Sequence, residues 1–414
     1  MSVHRFASLR RYCMALAAFT LAPAITGNLA LAQYSNKPGK GPAYVSPPEN
    51  DPNYSLMGEF AGSIEVRDAE GKKANQRFAL QIRAVAGDRF EARAFHGGLP
   101  GESGHKSEAM SLIGLRSGES LVLSGAPWAI FVDPNGCSLF DAKGNRVGRL
   151  KRMLRVSPTL GAQPPEGATV IFDGSSLDNL IKGKMTEAGL LQEGATISPM
   201  FQDFCLHLEF RIPYMPQAEG QQRGNSGLYL QSRYECQVLD SFGTETKIDG
   251  LGALYRTKKA DINMAFPPLR WQTYDIHFTA PRWKSDGTKI RDMHITSWIN
   301  GVKVQDNVAL KNKTGAGKQE EPNLLPTLLQ DHGDPVRFRN IWVIDRGVLH
   351  SKFPIYATGK QRTAAAMHEW DQPKAEEKAE AAKPEAKPEA TAAKATEAKA
   401  AEKGEAAKPE AAKK

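Results

Sequence analysis

Cysteine is scarce in this chain, with four residues among 414. No CxxC pair occurs, and the spacing of Cys137, Cys205 and Cys236 fits no metal knuckle, which argues against a zinc module or a multi-bridge disulfide framework. A GxGxxG with a following acidic residue, a P-loop, an HExxH and a GxSxG are also missing, so nicotinamide, nucleotide, zinc-protease and esterase chemistry lose their usual support. No cofactor is indicated. A divalent ion stays open, because Asp331, His332 and Asp334 are potential ligands, although their spacing within a turn is a weak signal. Beyond residue 32 no apolar run is long enough to cross a bilayer, so the mature chain is expected to lack a transmembrane segment.

Basic charge is in modest excess. Lys and Arg number 54 against 46 Asp and Glu, a formal +8. Of this, +3 belongs to the first 32 residues and +1 to a tail from Gln372 to Lys414, leaving +4 on the middle of the chain. With no run of Lys and Arg interleaved with aromatics, a nucleic-acid partner is not expected. Arg5, Arg10 and Arg11 precede an apolar stretch from Cys13 to about Ile25, and Ala30-Leu31-Ala32 offers a signal-peptidase site. Residues 1–32 therefore read as a signal peptide, and the protein as exported, periplasmic or extracellular. The tail, 372–414, holds 10 Lys, 9 Glu, 16 Ala and 4 Pro and nothing to bury, so it reads as a disordered, semi-rigid spacer.

Between these ends the apolar period is two. A Pro/Gly-rich lead-in (33–53) precedes a small β domain (54–160), where Phe78, Leu80 and Ile82, then Phe90, Ala92 and Ala94, share faces, and Trp128 to Val132 ends at Asp133-Pro134-Asn135-Gly136. Gln163-Pro164-Pro165-Glu166-Gly167 marks a boundary before a larger β domain (165–347), followed by a connecting segment (348–371). In FQDFCLHLEFRIPY (201–214) Phe204, Leu206, Leu208, Phe210 and Ile212 share one side. Across 224–243 the same alternation puts Leu228, Leu230, Tyr234, Cys236 and Val238 inward, and Tyr229, Gln231, Arg233, Glu235 and Gln237 outward. Strands are also legible at Tyr274 to Phe278, at Met293 to Ile299 before the hairpin dipeptide Asn300-Gly301, and at Phe338 to Ile344, with no amphipathic helix of normal length. The expected class is all-β, a β-sandwich preceded by a small β domain.

VIFDGSSLDNL (170–180), FQDFCLHLEFRIPY, GNSGLYLQSRYECQVLDSFG (224–243), NMAFPPLRWQTYDIHFTAPRW (263–283) and QDHGDPVRFRNIW (330–342), in that order, resemble the 3-keto-disaccharide hydrolase domain family over about Thr169 to Arg346. The resemblance implies a concanavalin-A-like jelly roll, as in lectins and glucanases, and an exported bacterial protein. It implies nothing about the function of the amino-terminal β extension. Relatives carry a cysteine where this chain has Leu251, which leaves Cys236 without the partner the family would supply.

If the family's activity applies, the substrate is a glycoside oxidised to a ketone at carbon 3. The ketone acidifies the hydrogen at carbon 2; a base removes it, the enolate oxygen is stabilised, an acid helps the aglycone leave carbon 1, and water adds back. In a jelly-roll groove Glu235 or His332 would serve as base and acid, and Arg233 or Arg337 as oxyanion stabiliser. Asn225, Tyr229, Gln237, Tyr255 and Trp271 are expected sugar contacts. Arg233 and Glu235 equally suit a surface ion pair, Arg337 a salt bridge, Trp271 the core, and Asp240 a turn cap. The alternative to an enzyme is a non-catalytic carbohydrate-binding protein with the same groove, or an envelope scaffold.

Overall fold

Alternation of apolar and polar residues builds nearly every element. A computed structural model describes residues 39–67 and 70–347; the segments 1–32, 348–371 and 372–414 discussed above lie outside the described residues. Eight antiparallel strands, β1 (Gly58–Arg67), β2 (Lys73–Ala84), β3 (Arg89–His96), β4 (Ala109–Ser117), β5 (Ser120–Ser124), β6 (Ala129–Asp133), β7 (Gly136–Phe140) and β8 (Arg146–Met153), close into a barrel in chain order. Closure comes from β1, which pairs with both β2 and β8 and leaves no open edge. Every second side chain fills the interior, including Phe60, Phe78, Leu80, Ile82, Phe90, Ile130 and Leu150, all buried. Each such burial stabilises the fold by roughly 1.5–3 kcal/mol. The turn after β6 is held by Asp133 Oδ1, which accepts from the backbone N–H of Asn135 (2.7 Å) and Gly136 (3.1 Å).

The larger β region contains β9 (Thr169–Phe172), β10 (Leu180–Ile181), β11 (Leu191–Gln192), β12 (Thr196–Ile197), β13 (Phe204–Arg211), β14 (Ser226–Leu230), β15 (Tyr234–Val238), β16 (Trp271–Thr279), β17 (Arg282–Trp283), β18 (Lys289–Arg291), β19 (Met293–Ile299), β20 (Val302–Leu310), β21 (Leu328–Leu329) and β22 (Arg337–Asp345). One sheet runs β10-β12-β21-β14-β15; the other runs β11-β22-β13-β16-β19-β20 with β9 also on β22, and β17-β18 form a separate hairpin. Phe204, Leu206, Leu208 and Phe210 of β13, Tyr274, Ile276 and Phe278 of β16, and Leu228, Leu230, Tyr234, Cys236 and Val238 of β14 and β15 fill the space between the sheets. Asn300 (φ 51°) and Gly301 (φ 77°) make the β19-β20 hairpin, as that dipeptide predicts. Cys137 and Cys236 are buried thiols, and burial pushes both well above the usual thiol pKa.

Of the lead-in expected to be extended and without an element, residues 33–38 lie outside the described residues, and 39–53 lead into a capped helix and dock on the sandwich. Asp51 caps a short helix, α1 (Pro52–Leu56), by accepting the Asn53 N–H at 2.9 Å. Tyr44 exchanges backbone hydrogen bonds with Tyr214, and buried Lys40 meets buried Asp334 at 2.5 Å. The connection from barrel to sandwich is likewise docked. Ser157 Oγ lies 2.6 Å from Thr273 Oγ1, the Gly161 N–H donates to Glu209 at 2.5 Å, and Trp342 Nε1 donates to the Ala162 carbonyl. Barrel and sandwich share one continuous hydrophobic cluster. Among the described residues no helix is long and apolar enough to cross a membrane.

Candidate functional site

The stretch 224–243 is two strands rather than one. Gln231 (φ 48°) and Ser232 (φ 56°) reverse the chain, so Tyr229 lies opposite Glu235 and Gly227 opposite Gln237. Parity therefore holds for Tyr229, Glu235 and Gln237, which share the outer face of β14 and β15, and fails for Gln231 and Arg233, which belong to the turn. That outer face is roofed rather than open. The Glu235 N–H donates to Thr314 Oγ1 at 2.6 Å, and the Tyr255 N–H donates to the Glu235 carbonyl at 3.0 Å. Two glycines make room for the carboxylate: a Cβ on Gly227 would sit 2.9 Å from Glu235 Oε1, and one on Gly315 would sit 3.1 Å from Oε2 and 2.8 Å from the Tyr255 ring.

Glu235 is 2% exposed, and its Oε2 has no hydrogen-bond partner among the described residues. No cation of the described residues is within ion-pair distance. Burial raises the carboxyl above its ordinary pKa, against a smaller opposing pull from the Tyr229 hydroxyl. Burial and the neighbouring Glu235 charge in turn push the Tyr229 phenol well up, so it remains a proton-bearing donor at neutral pH. Gln330 Nε2 reaches Tyr229 Oη at 3.4 Å, while Gln330 Oε1 is buried beside Gly227 without a partner among the described residues.

An amide chain positions the neighbouring edge. Gln237 Nε2 (3.0 Å) and Asn225 Nδ2 (3.1 Å) both donate to Gln221 Oε1, which leaves Asn225 Oδ1 buried and without a partner among the described residues. The segment carrying His332 is tied to β14 at both ends. The Gln330 N–H donates to the Gly227 carbonyl (2.8 Å), Ser226 Oγ to the Gln330 carbonyl (2.7 Å), and the Asn225 N–H to Asp334 Oδ2 (2.8 Å). Between these ties Gly333 (φ 77°), with its N–H on Asp331 Oδ1, forms the turn that presents half-buried His332. Asn225, Tyr229, Glu235, Gln237, Tyr255 and His332 thus come from strands and segments bonded to one another.

Three expected residues do not join them. Arg233 is 1% exposed, and its guanidinium donates to the carbonyls of Gln319 (2.9 Å), Glu321 (3.4 Å) and Asn323 (3.2 Å) and to Asn323 Oδ1, so it clamps the 319–323 loop instead of facing an oxyanion. Arg337 starts β22 in the opposite sheet and pairs with Glu193 at 2.7 Å. Trp271 lies on the outer face of that same sheet, with the guanidinium carbons of Arg211 and Arg339 at 5.0 and 4.1 Å from its ring centre. Asp240 pairs with Arg223 at 2.6 Å and also accepts the Phe242 N–H, so it caps a turn. The turn residues Asp331, His332 and Asp334 are not assembled as a ligand set, because Asp331 caps Gly333 and Asp334 is held by Lys40 and the Asn225 N–H. Among the described residues no group of three His, Cys, Asp or Glu side chains is arranged to hold a metal ion. Gln330 and Thr314 escaped the sequence reading. Gln330 stands two residues before His332 and on an extended run shares its side, and Thr314-Gly315-Ala316-Gly317 signals a close backbone approach.

Residues 167–344 match the family model described as the 3-keto-alpha-glucoside-1,2-lyase-like domain. No curated protein matches the chain. Three solved structures of candidate glycosyl hydrolases from Parabacteroides distasonis are similar. The first is 32% identical, with 44% of this chain and 84% of that one covered, at a TM-score of 0.40. The second is 18% identical, with coverage of 44% and 94% and a TM-score of 0.30. The third is 20% identical, with coverage of 42% and 98% and a TM-score of 0.30. With the domain matched across the sandwich and a relative at 32% identity covered over 84% of its length, the chain belongs to the 3-keto-disaccharide hydrolase (3-keto-alpha-glucoside-1,2-lyase-like) family.

Proposed function

We propose that this protein is an exported, carbohydrate-active enzyme that cleaves 3-keto-glycosides, including 3-keto-disaccharides, by proton abstraction at carbon 2, elimination, and hydration. Residues 1–32 would direct its export to the periplasm or beyond. The observation that carries the reading is Glu235: a buried carboxyl that, among the described residues, has one unpartnered oxygen and no neighbouring cation is a stronger base, once ionised, than a salt-bridged one. Glu235 takes the carbon-2 proton, and the electron pair moves onto the carbon-3 oxygen. The Tyr229 phenol, with Gln330 behind it, donates to that oxygen in place of the arginines first expected. Collapse of the enolate expels the aglycone oxygen from carbon 1, with His332 supplying its proton, and water adds across the resulting double bond. Asn225 Oδ1 accepts from a sugar hydroxyl, and Tyr255 borders the ring.

The test is sugar release by the mature protein from 3-keto-trehalose and from trehalose. Release from the ketone alone is expected, with Glu235→Gln lowering turnover about 10²–10⁴-fold and leaving binding in place. Cleavage of trehalose at the same rate, or unchanged turnover in Glu235→Gln, would overturn the mechanism. Binding of both sugars without release would favour the non-catalytic carbohydrate-binding reading.

A further inference from the structure

Among the described residues six arginines lie where the barrel meets the sheet of β13, β16 and β22, and three carboxylates pair with them. Glu59 holds Arg155, Glu193 holds Arg337 and Glu209 holds Arg339. Arg152, Arg211 and Arg270 have no carboxylate within ion-pair distance among the described residues. Two of these three, Arg152 and Arg270, line a cleft of about 240 Å³ together with Tyr54, Arg155, Leu154 and Pro267. Among the described residues the only acid in its wall is Glu59, and both Glu59 oxygens are already engaged by Arg155 and by Gln81 Nε2 (2.9 Å).

Arg152 is fixed by three backbone carbonyls, those of Pro134 and Met57 (2.7 Å each) and of Ser55. Among the described residues Arg270 makes one long bond, 3.4 Å to the Arg155 carbonyl, which leaves most of its donors available there. Tyr54 stands among them with its ring edge-on to Tyr214. Tyr54 lines the same cleft as Arg152 and Arg270; burial raises its phenol above the usual pKa, and Arg270, Arg152 and Arg211 pull it back. Leu154, 69% exposed, and Pro267 supply apolar wall of the kind that packs against the C–H face of a pyranose.

We infer that this seam is a second ligand site, which takes an anionic monosaccharide unit whose oxyanion sits between Arg270 and Arg152 and whose ring lies along Leu154 and Pro267. A guanidinium pair without a counter-carboxylate suits a carboxylate or a phosphoryl group equally. No lining residue is shared with the Glu235 cage, so the inference stands or falls independently of the proposed hydrolysis.

The test is calorimetric titration of the full chain with glucuronate, with glucose 6-phosphate and with glucose. One-to-one binding of a charged sugar, absent for glucose, is expected, and which of the two charged sugars binds identifies the oxyanion. Arg270→Gln should weaken it by at least about tenfold, whereas Arg67→Gln, a distant exposed arginine, should leave it unchanged. Tyr54→Phe keeps the ring on Tyr214 and should weaken binding severalfold, which gives a second reading should Arg270→Gln fold poorly. Equal binding of glucose, indifference to both cleft variants, or no binding of either charged sugar would overturn the site.

Discussion

A single carboxyl, that of Glu235, sets the pH behaviour expected of the site. A base must be ionised to accept a proton, and burial holds this group above the ordinary glutamate value of about 4.3. Log kcat/KM on a 3-keto-glycoside should therefore fall with unit slope as pH drops through that raised pKa; a profile flat down to about pH 4.3 would contradict the assignment. The same shift has a stability sign. A folded pKa above the unfolded one favours the fold most at low pH and is lost as pH rises, so ionised Glu235 opposes folding at neutral pH. Glu235→Gln should then unfold at equal or higher temperature than the parent at pH 7, and a lower midpoint would refute a costly buried charge. Strand parity was enough to bring Tyr229, Glu235 and Gln237 to one face. It could not place Arg233, because Gln231-Ser232 carries none of the Asn-Gly chemistry that announces a tight turn, although both residues adopt positive φ. Arg337 and Trp271 also alternate correctly, but alternation names a face and not which of two sheets that face belongs to.

The element that joins barrel to sandwich is held by a titratable clasp on the outer face of β13, β16 and β22. Burial alone would raise the Glu209 pKa, but His207, Asn340, the Gly161 N–H and Arg339 overcome it and hold the carboxyl down at about 2. His207, stacked on Trp342, meets Asp275 at 2.6 Å; burial would lower its pKa, yet Asp275 and Glu209 keep it raised. The depressed Glu209 contributes fully above its unfolded value of about 4.3 and fades as pH falls toward about 2. The raised His207 contributes fully below about 6.5 and fades as pH climbs through its folded value. Protection of the Gly161 amide, relative to its intrinsic exchange rate, should be greatest between those limits, and Glu209→Gln should cost about 1–3 kcal/mol, remove the acid limb and leave a weaker basic limb, since Asp275 still holds His207; equal loss of both limbs would contradict the clasp. β13, β16 and the β19-β20 hairpin were legible because period two and Asn300-Gly301 are local signals. The docking of Lys40 on Asp334 and of 157–162 on the sheet was not, since both are contacts between segments far apart in sequence.

Across the whole molecule, barrel and sandwich share one core, and the lead-in, linker and 312–323 loop are all fastened to the sandwich that carries Glu235. Such fastening keeps a buried carboxyl, two glycines and two tyrosines in register without a charged partner among the described residues, and it is on this arrangement that the proposed proton abstraction rests. The most direct measurement is deuterium NMR of the sugar recovered after incubating the protein with 3-keto-trehalose in deuterated water. The account predicts label at carbon 2 with the parent protein and none above background with Glu235→Gln. Sugar release with no deuterium at carbon 2, or the same label in both proteins, would contradict it.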